Sequence, residues 1–351
     1  ADVIDPDLEK ITTEEDVKRF VKRQQYDFIG ISPTHITLQN DLGLTYLAKK
    51  YSPESVIIAG GTEATFAYDL VMDNSPVEVV VIGEGERPVL GLANARRDGG
   101  LVDRFETIPG LILKNNQSLS KGLLPILNQN GKGKIKTGAN RALNKEEFAE
   151  ATMGMDFSQV PYDRYWKGTA KIYENDLKSP DLKIRAKRTQ EVYTMRIFQA
   201  NYCPYNCTFC GSRDFQDNAS GGNKTMVVAL SGEQLADLIE KCYHANPRLQ
   251  TIIFQDDNFM MGLTNNKIET LVEIMDLKKR RGHIPEYLSF ICQARVDNVN
   301  LKRLRMLKEA NFRIISYGIE SFSQRMLDEI LKETTVEKAE QTLEETLSVG
   351  I

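Results

Sequence analysis

The stretch Cys203-Pro204-Tyr205-Asn206-Cys207-Thr208-Phe209-Cys210 places three of the chain's five cysteines within eight residues. Three thiolates at this spacing can bind one compact metal centre. A 4Fe-4S cubane has four irons, so three cysteine ligands leave one iron open for chemistry. An open coordination position distinguishes a working metal site from a structural one. The stretch therefore predicts a reactive iron–sulfur cluster bound by Cys203, Cys207 and Cys210.

Zinc is the alternative occupant of these cysteines, with His244 or Cys242 as the fourth ligand. Structural zinc normally uses paired Cys-x2-Cys arms, which favours the iron–sulfur interpretation. Cys242 also lies on the apolar face of a predicted helix, together with Leu235, Leu238 and Ile239. Cys242 and Cys292 are therefore predicted to be small core residues.

Composition limits the class of protein. With 351 residues and 41% hydrophobic content, the chain can bury two cores, so two domains are expected. A net charge of −4, from 45 basic and 49 acidic residues, argues against a nucleic-acid partner. Neither a signal-peptide pattern nor an apolar run of about 20 residues occurs, and the clustered cysteines fit a reducing compartment, so a cytoplasmic protein is expected.

Before the cysteines, residues 1–98 alternate between apolar strands and amphipathic helices. A capping-box pattern at residues 12–16 begins the first helix, and apolar runs at 27–32, 56–59 and 79–82 predict strands. Such strands, separated by helices, are typical of a parallel sheet with ligands beyond the carboxyl ends of its strands. Gly60-Gly61-Thr62 and Gly83-Glu84-Gly85-Glu86 follow two of these strands. The Gly60-Gly61 pair can equally be a tight strand-to-helix turn without a ligand.

From residue 99 to 190 the pattern is weak, and this region is predicted to be a connector. After it, strands at 192–199, 251–254, 288–294 and 312–317 alternate with helices and end in polar residues. Four βα repeats predict a partial (β/α) barrel with its site on the upper rim. Four repeats cannot close a barrel, and the first domain lacks an obvious leading strand, so we expect a natural polypeptide that extends beyond both ends.

Together these residues carry a resemblance. Cys-x3-Cys-x-Phe-Cys after a strand, followed by βα repeats, resembles the radical S-adenosylmethionine (SAM) superfamily. The glycine turns make the preceding domain similar to the cobalamin-binding domain of the cobalamin-dependent branch. The resemblance implies an α/β chain with a Rossmann-like, doubly wound cobalamin-binding domain at 1–98, a connector at 99–190 and an incomplete radical SAM barrel at 191–351.

The resemblance also implies roles around the cluster. SAM would chelate the open iron, and Phe209 would pack beside its adenine. The superfamily's Gly-Gly-Glu motif would fall at Gln255-Asp256-Asp257, a departure that leaves open which carboxylate, Asp256 or Asp257, accepts from the SAM ammonium. A helix N-cap and turn is the alternative role for these aspartates. Glu320 resembles the acidic residue near SAM on the fourth strand, and Arg295 would meet the SAM carboxylate.

For cobalamin, the implied contacts lie at the glycine turns and the loop before them: Ser32, Gly60, Gly61, Thr62, Gly83, Glu84 and Gly85. The Asp-x-His-x-x-Gly signature that supplies an imidazole to cobalt is absent from the sequence. His35 either approaches the corrin or is an ordinary surface histidine.

The activity implied is cleavage of SAM to a 5'-deoxyadenosyl radical by a 4Fe-4S cluster, with cobalamin carrying a methyl group to an unactivated carbon of a small-molecule substrate. An electron donor such as flavodoxin or ferredoxin would be needed. Rearrangement or cyclisation without methyl transfer is one alternative. A non-catalytic sensor that binds metal or corrinoid is the other.

Overall fold

The computed structural model describes residues 2–98, 102–114, 126–127, 133–223 and 225–351. The chain divides into two compact units: Asp2–Ala142 with Asp214–Met226, and Leu143–Arg213 with Val227–Ile351. The domain borders expected from the sequence stay predictions, and residues 99–101, 115–125 and 128–132 of the expected connector lie outside the described residues. None of the described helices is long and apolar enough to cross a bilayer.

The first unit contains a six-stranded sheet in the described residues. Its strands are β1 Phe28–Ile31, β2 Val56–Ala59, β3 Val79–Val81, β4 Leu111–Lys114, β5 Ile126–Leu127 and β6 Gly133–Lys136. Its helices are α1 Glu14–Val21, α2 Leu38–Tyr51, α3 Gly61–Phe66, α4 Tyr68–Asp73 and α5 Glu86–Arg97, with a 3-10 turn at Val102–Thr107. The strand order is β1-β2-β3-β4-β6-β5.

Strands β1 to β3 are parallel, as their apolar runs predicted, so their carboxyl ends share one edge of the sheet. The predicted capping box at the start of α1 is confirmed, because Thr13 and Asp16 bond reciprocally. Strands β4, β6 and β5 extend the sheet in antiparallel pairing, which the sequence analysis missed. The buried run in β4 is only three residues long, and so short an apolar run gives a weak signal.

The second unit contains a four-stranded sheet in the described residues, from β7 Thr194–Ile197, β8 Thr251–Phe254, β9 Ser289–Ala294 and β10 Phe312–Tyr317. Its helices before β7 are α6 Lys145–Gly154, α7 Tyr162–Ile172, α8 Glu174–Leu177 and α9 Leu182–Val192. Those after β7 are α10 Ser212–Ser220, α11 Gly232–Ala245, α12 Asn265–Arg280, α13 Leu301–Glu309, α14 Gln324–Glu329 and α15 Val336–Ser348. Two 3-10 turns lie at Phe157–Gln159 and Val296–Asn298. From Asp214 onward, α10 belongs to the first unit.

All pairings in this second sheet are parallel, in the order β10-β9-β8-β7, which confirms the predicted partial barrel. Fully buried phenylalanines fill its core, with ring centroids 4.6 to 6.0 Å apart: Phe254, Phe259, Phe290 and Phe312. Since neighbouring strands run the same way, the segments after β7, β8, β9 and β10 emerge at one rim of the sheet. The cysteine stretch is one of these segments.

Candidate functional site

The cysteine loop, residues 203–210, follows β7. The backbone N–H of Cys210 donates to the carbonyl oxygen of Cys207 at 3.0 Å, and the N–H of Thr208 donates to the carbonyl oxygen of Ile330 at 3.0 Å. Cys203 and Cys207 are half-buried, Cys210 is exposed, and all three thiols are free. Burial raises the pKa of the Cys203 thiol. Binding of a cationic metal centre would supply the charge that favours the thiolate.

Across the described ranges, no three His, Cys, Asp or Glu side chains converge on a point where one metal ion would sit. A cubane cluster does not need such a point, because each of its cysteine ligands binds a different iron. Three free thiols on one loop are the donor set that a 4Fe-4S cluster uses. The residues present therefore fit such a cluster.

The other two cysteines lie in the core, as predicted. Cys242 and Cys292 are both fully buried. Burial raises the pKa of Cys242 to about 12, as expected for an inert thiol in apolar surroundings. The other zinc-ligand candidate, His244, lies with its Nε2 atom 3.1 Å from the carbonyl oxygen of His283.

The carboxylate of Asp256, just beyond β8, is only partly satisfied. Its Oδ1 atom accepts hydrogen bonds from the backbone N–H groups of Gln199 at 2.9 Å and Ala200 at 2.7 Å. Its Oδ2 atom is buried and has no hydrogen-bond partner among the described residues. Burial raises the pKa of Asp256 to about 7. A buried carboxylate oxygen without a partner indicates an incomplete site that a donor can fill.

Asp257 has a different environment. Its side chain is exposed and accepts a hydrogen bond from the hydroxyl of Ser212, and that hydroxyl accepts from the backbone N–H of Cys203 at 3.3 Å. A small cavity of about 30 Å³, lined by residues 198, 200–202 and 256–258, includes both aspartates. The alternative role of these aspartates as a helix N-cap and turn is confirmed only for the turn, which begins at Asp257, because the next helix, α12, is capped by Thr264.

Arg295, at the end of β9, is directed to the cysteine loop. Its side chain is buried, and its Nη1 atom lies 3.6 Å from the Sγ atom of Cys207. The guanidinium also pairs with Asp297 and lies 3.7 Å above the ring of Tyr205. The contact with the SAM carboxylate expected for Arg295 stays a prediction.

Glu320 follows β10 in a strained conformation, with a φ of 67°. Its Oε1 atom accepts from the Nζ atom of Lys332 at 2.9 Å, and this lysine is 5% exposed. The same Nζ atom lies 5.6 Å from the ring centroid of Phe209, which is 56% exposed. Lys332 therefore contacts three predicted site residues: Phe209 and Glu320 through its ammonium, and Arg295 through its backbone carbonyl oxygen. Lys332 itself carried no signal in the sequence.

At the carboxyl edge of the first sheet, two glycines are required by their backbone conformation, and packing within the first unit adds to that requirement at Gly83. Gly61 has a φ of +85°, and a Cβ atom there would lie 2.6 Å from the hydroxyl of Ser32. Gly83 has a φ of +77°, and a Cβ atom would lie 2.2 Å from that of Ala219. Both positions thus need glycine whether or not a ligand binds.

The remaining predicted cobalamin contacts lie around these glycines. Gly60 precedes α3, and Gly85 is the N-cap residue of α5. The carboxylate of Glu84 accepts from Gln216 at 3.0 Å. Ser32 and Thr62 are exposed, and their side chains are open to a ligand. The exposed His35 lies 3.5 Å from Glu63, as an ordinary surface histidine can.

Two family models match different parts of the chain. The model of the radical SAM superfamily matches residues 198–351. The model of the B12 binding domain matches residues 1–93. These two matches confirm the resemblance to cobalamin-dependent radical SAM enzymes. The radical SAM domain implies SAM with a 4Fe-4S cluster, and the B12 binding domain implies cobalamin, as the cofactors.

Individual relatives agree with this assignment. An uncharacterized methyltransferase of Pyrococcus horikoshii is 24% identical over 340 residues, which cover 96% of this chain and 61% of the relative. The structure of the radical SAM methyltransferase TsrM from Kitasatospora setae is 13% identical, with a TM-score of 0.70 over 100% of this chain and 60% of that one. The structure of the cobalamin-dependent SAM radical enzyme OxsB is 20% identical, with a TM-score of 0.68 over 99% of this chain and 42% of that one. The chain thus shares the fold of the two solved structures and spans 42% to 61% of the lengths of these three relatives.

Proposed function

We propose that the protein is a cobalamin-dependent radical SAM methyltransferase that methylates an unactivated carbon of a small-molecule substrate. The observation that carries this proposal is the rim of the second sheet, where the loop after β7 carries three free thiols and the segment after β8 carries a buried, half-satisfied carboxylate. When bound, a 4Fe-4S cluster with SAM supplies reductive cleavage to a 5'-deoxyadenosyl radical, and cobalamin supplies a transferable methyl group.

Cys203, Cys207 and Cys210 would hold the cluster. Asp256 would accept the SAM ammonium through Oδ2, since Oδ1 is already committed to the backbone of residues 199 and 200. A cation there would stabilise the ionised form of a carboxyl group that burial otherwise keeps partly protonated near neutral pH. Asp257 is the weaker candidate, because its carboxylate is exposed and hydrogen-bonded to Ser212.

The exposed edge of the first sheet is the proposed cobalamin surface. Thr62 lies in the first turn of α3, beside Gly60 and Gly61, and its side chain is exposed. A bulky Thr62→Tyr side chain should therefore weaken binding of hydroxocobalamin at least tenfold in an absorbance titration. Glu54, exposed before the start of β2 at the opposite edge, provides the control Glu54→Tyr, which should leave binding unchanged.

The decisive experiment is metal, sulfide and corrinoid analysis of protein purified without oxygen, followed by reaction with SAM and dithionite. We expect a 4Fe-4S cluster, bound corrinoid and formation of 5'-deoxyadenosine. Cys207→Ala should lose both the cluster and SAM cleavage, whereas Cys292→Ala, which changes a buried core cysteine, should retain both. A zinc ion in place of iron would contradict the proposal.

Other outcomes identify the alternatives. A cluster that cleaves SAM without bound corrinoid would indicate rearrangement or cyclisation. A fully loaded cluster without SAM cleavage would indicate a sensor. We further propose that a flavodoxin or ferredoxin reduces the cluster in the cytoplasm, because a low-potential cluster needs a reducing compartment.

A further inference from the structure

The guanidinium of Arg295 connects the cysteine loop to two other segments of the second unit. Its Nε and Nη2 atoms donate to the carboxylate of Asp297 at 3.0 and 3.3 Å. Nη2 also donates to the backbone carbonyl oxygen of Lys332, and Nη1 donates to the Sγ atom of Cys207 at 3.6 Å. Its side chain is only 5% exposed, so these contacts are shielded from water.

Tyr205 fixes the guanidinium from the loop side. Its ring lies 3.7 Å from the guanidinium carbon of Arg295. Its hydroxyl accepts from Asn298 at 2.9 Å and donates to Asp297 at 3.3 Å. An arginine fork stacked on an aromatic ring and bonded in its own plane is held in one orientation. The Nη1 atom is therefore directed to the sulfur of Cys207.

We infer that Arg295 is a positioning residue that orients Cys207 and raises the reduction potential of the cluster, with Asp297 opposing that effect. The inference rests on the proposed function, because it requires a cluster on the three cysteines. Reduction adds negative charge to a cluster, and hydrogen bonds and charge near its sulfurs set its potential. A cation in contact with a ligand sulfur stabilises the reduced state. A neighbouring carboxylate destabilises it.

Charge-neutralising substitutions of the two partners should therefore shift the potential in opposite directions. In a redox titration of the reconstituted cluster followed by electron paramagnetic resonance, Arg295→Gln should lower the ratio of reduced to oxidised cluster about tenfold at fixed potential, a shift of 59 mV to more negative values. Asp297→Asn should shift it to more positive values. Arg295→Lys keeps the charge without the fork, so it should hold the potential near that of the wild type but retain less iron on gel filtration.

A purely structural role for Arg295 would not produce opposite shifts. Unchanged potentials in both variants, or shifts of the same sign, would overturn the inference while leaving the proposed function intact. If Arg295→Gln binds no cluster, the sign of the Asp297→Asn shift alone decides. Arg248 is a matched control, since it pairs with Asp163 and lies 5.8 Å from the ring of Trp166, and Arg248→Gln should leave the potential unchanged. A wild-type protein that binds no cluster would overturn both proposals.

Discussion

The carboxyl ends of the parallel strands in the two sheets carry the candidate sites, and the two sites differ in how far packing and backbone conformation explain their residues. We call the edge with Ser32, Gly60–Thr62 and Gly83–Gly85 the glycine rim, and the edge with the cysteine loop, Asp256, Asp257 and Glu320 the cysteine rim. In the glycine rim, the positive φ angles account for Gly61 and Gly83, and packing against Ala219 adds to this at Gly83. In the cysteine rim, no contact among the described residues accounts for the buried Oδ2 of Asp256. An unusual residue is stronger evidence for a ligand when folding alone does not require it.

Backbone strain follows the same division. The glycine rim places its positive φ angles on glycines, which adopt them without a steric penalty. The cysteine rim places one on Glu320, at a φ of 67°. Such a conformation in a residue with a Cβ atom costs on the order of 1–3 kcal/mol and is typical of functional sites. The two rims therefore make different predictions for substitutions.

The largest effect is expected in the glycine rim at Gly83. Gly83→Ala combines a left-handed φ with a Cβ atom 2.2 Å from that of Ala219, whose helix cannot easily move. Strain and overpacking together should lower the free energy of unfolding by about 4 kcal/mol, measured by urea denaturation. The double variant Gly83→Ala/Ala219→Gly should recover about half of that loss, and no recovery would contradict the packing explanation.

Next in size is the pH response of the cysteine rim. Burial raises the folded-state pKa of Asp256 to about 7, from an ordinary value of 3.8. Its contribution to stability is therefore fully present below about pH 4 and is lost as the pH rises through 7. Between pH 5 and 7 the wild type should lose about 2.5 kcal/mol of unfolding free energy relative to Asp256→Asn, at about 1.4 kcal/mol per pH unit. A difference that does not change with pH would show that Asp256 ionises as an exposed carboxyl group does.

The same variant tests the ligand assignment. Asp256→Asn keeps an oxygen for the two backbone N–H groups but removes the negative charge. Calorimetry on cluster-loaded protein should show SAM affinity reduced at least tenfold, because a charge-assisted hydrogen bond is lost. Asp257→Asn should change it much less, and the reverse ranking would assign the ammonium to Asp257.

The sequence was informative where the signal is local. Strands β2, β8 and β10 were predicted with their observed ends, because each is a short run rich in β-branched and aromatic or aliphatic residues and is bounded by turn residues. The contact between Arg295 and Cys207 joins residues 88 positions apart, so no local pattern could reveal it. The division of roles between Asp256 and Asp257 depends on which one packs beneath residues 199 and 200. That is a property of the assembled sheet.

A smaller effect is expected at Glu320. Glu320→Gln removes the charge that faces the buried ammonium of Lys332, which should cost about 1–2 kcal/mol of unfolding free energy. Glu329 pairs with Arg325 on the exposed face of α14, so Glu329→Gln should cost less than about 0.5 kcal/mol. Equal losses in the two variants would show that the Glu320 pair behaves as a surface ion pair.

The smallest effect on stability is expected at Gly61. A Cβ atom there would meet only the hydroxyl of Ser32, which can rotate away, so Gly61→Ala should cost about 1 kcal/mol from its φ of +85° alone. If this backbone conformation is the whole reason for the glycine, hydroxocobalamin should bind the variant almost as well as the wild type. An affinity loss of more than tenfold at so small a stability cost would show that the corrinoid approaches the backbone at Gly61. Gly61 would then be required by its ligand, as we propose for Asp256 in the cysteine rim.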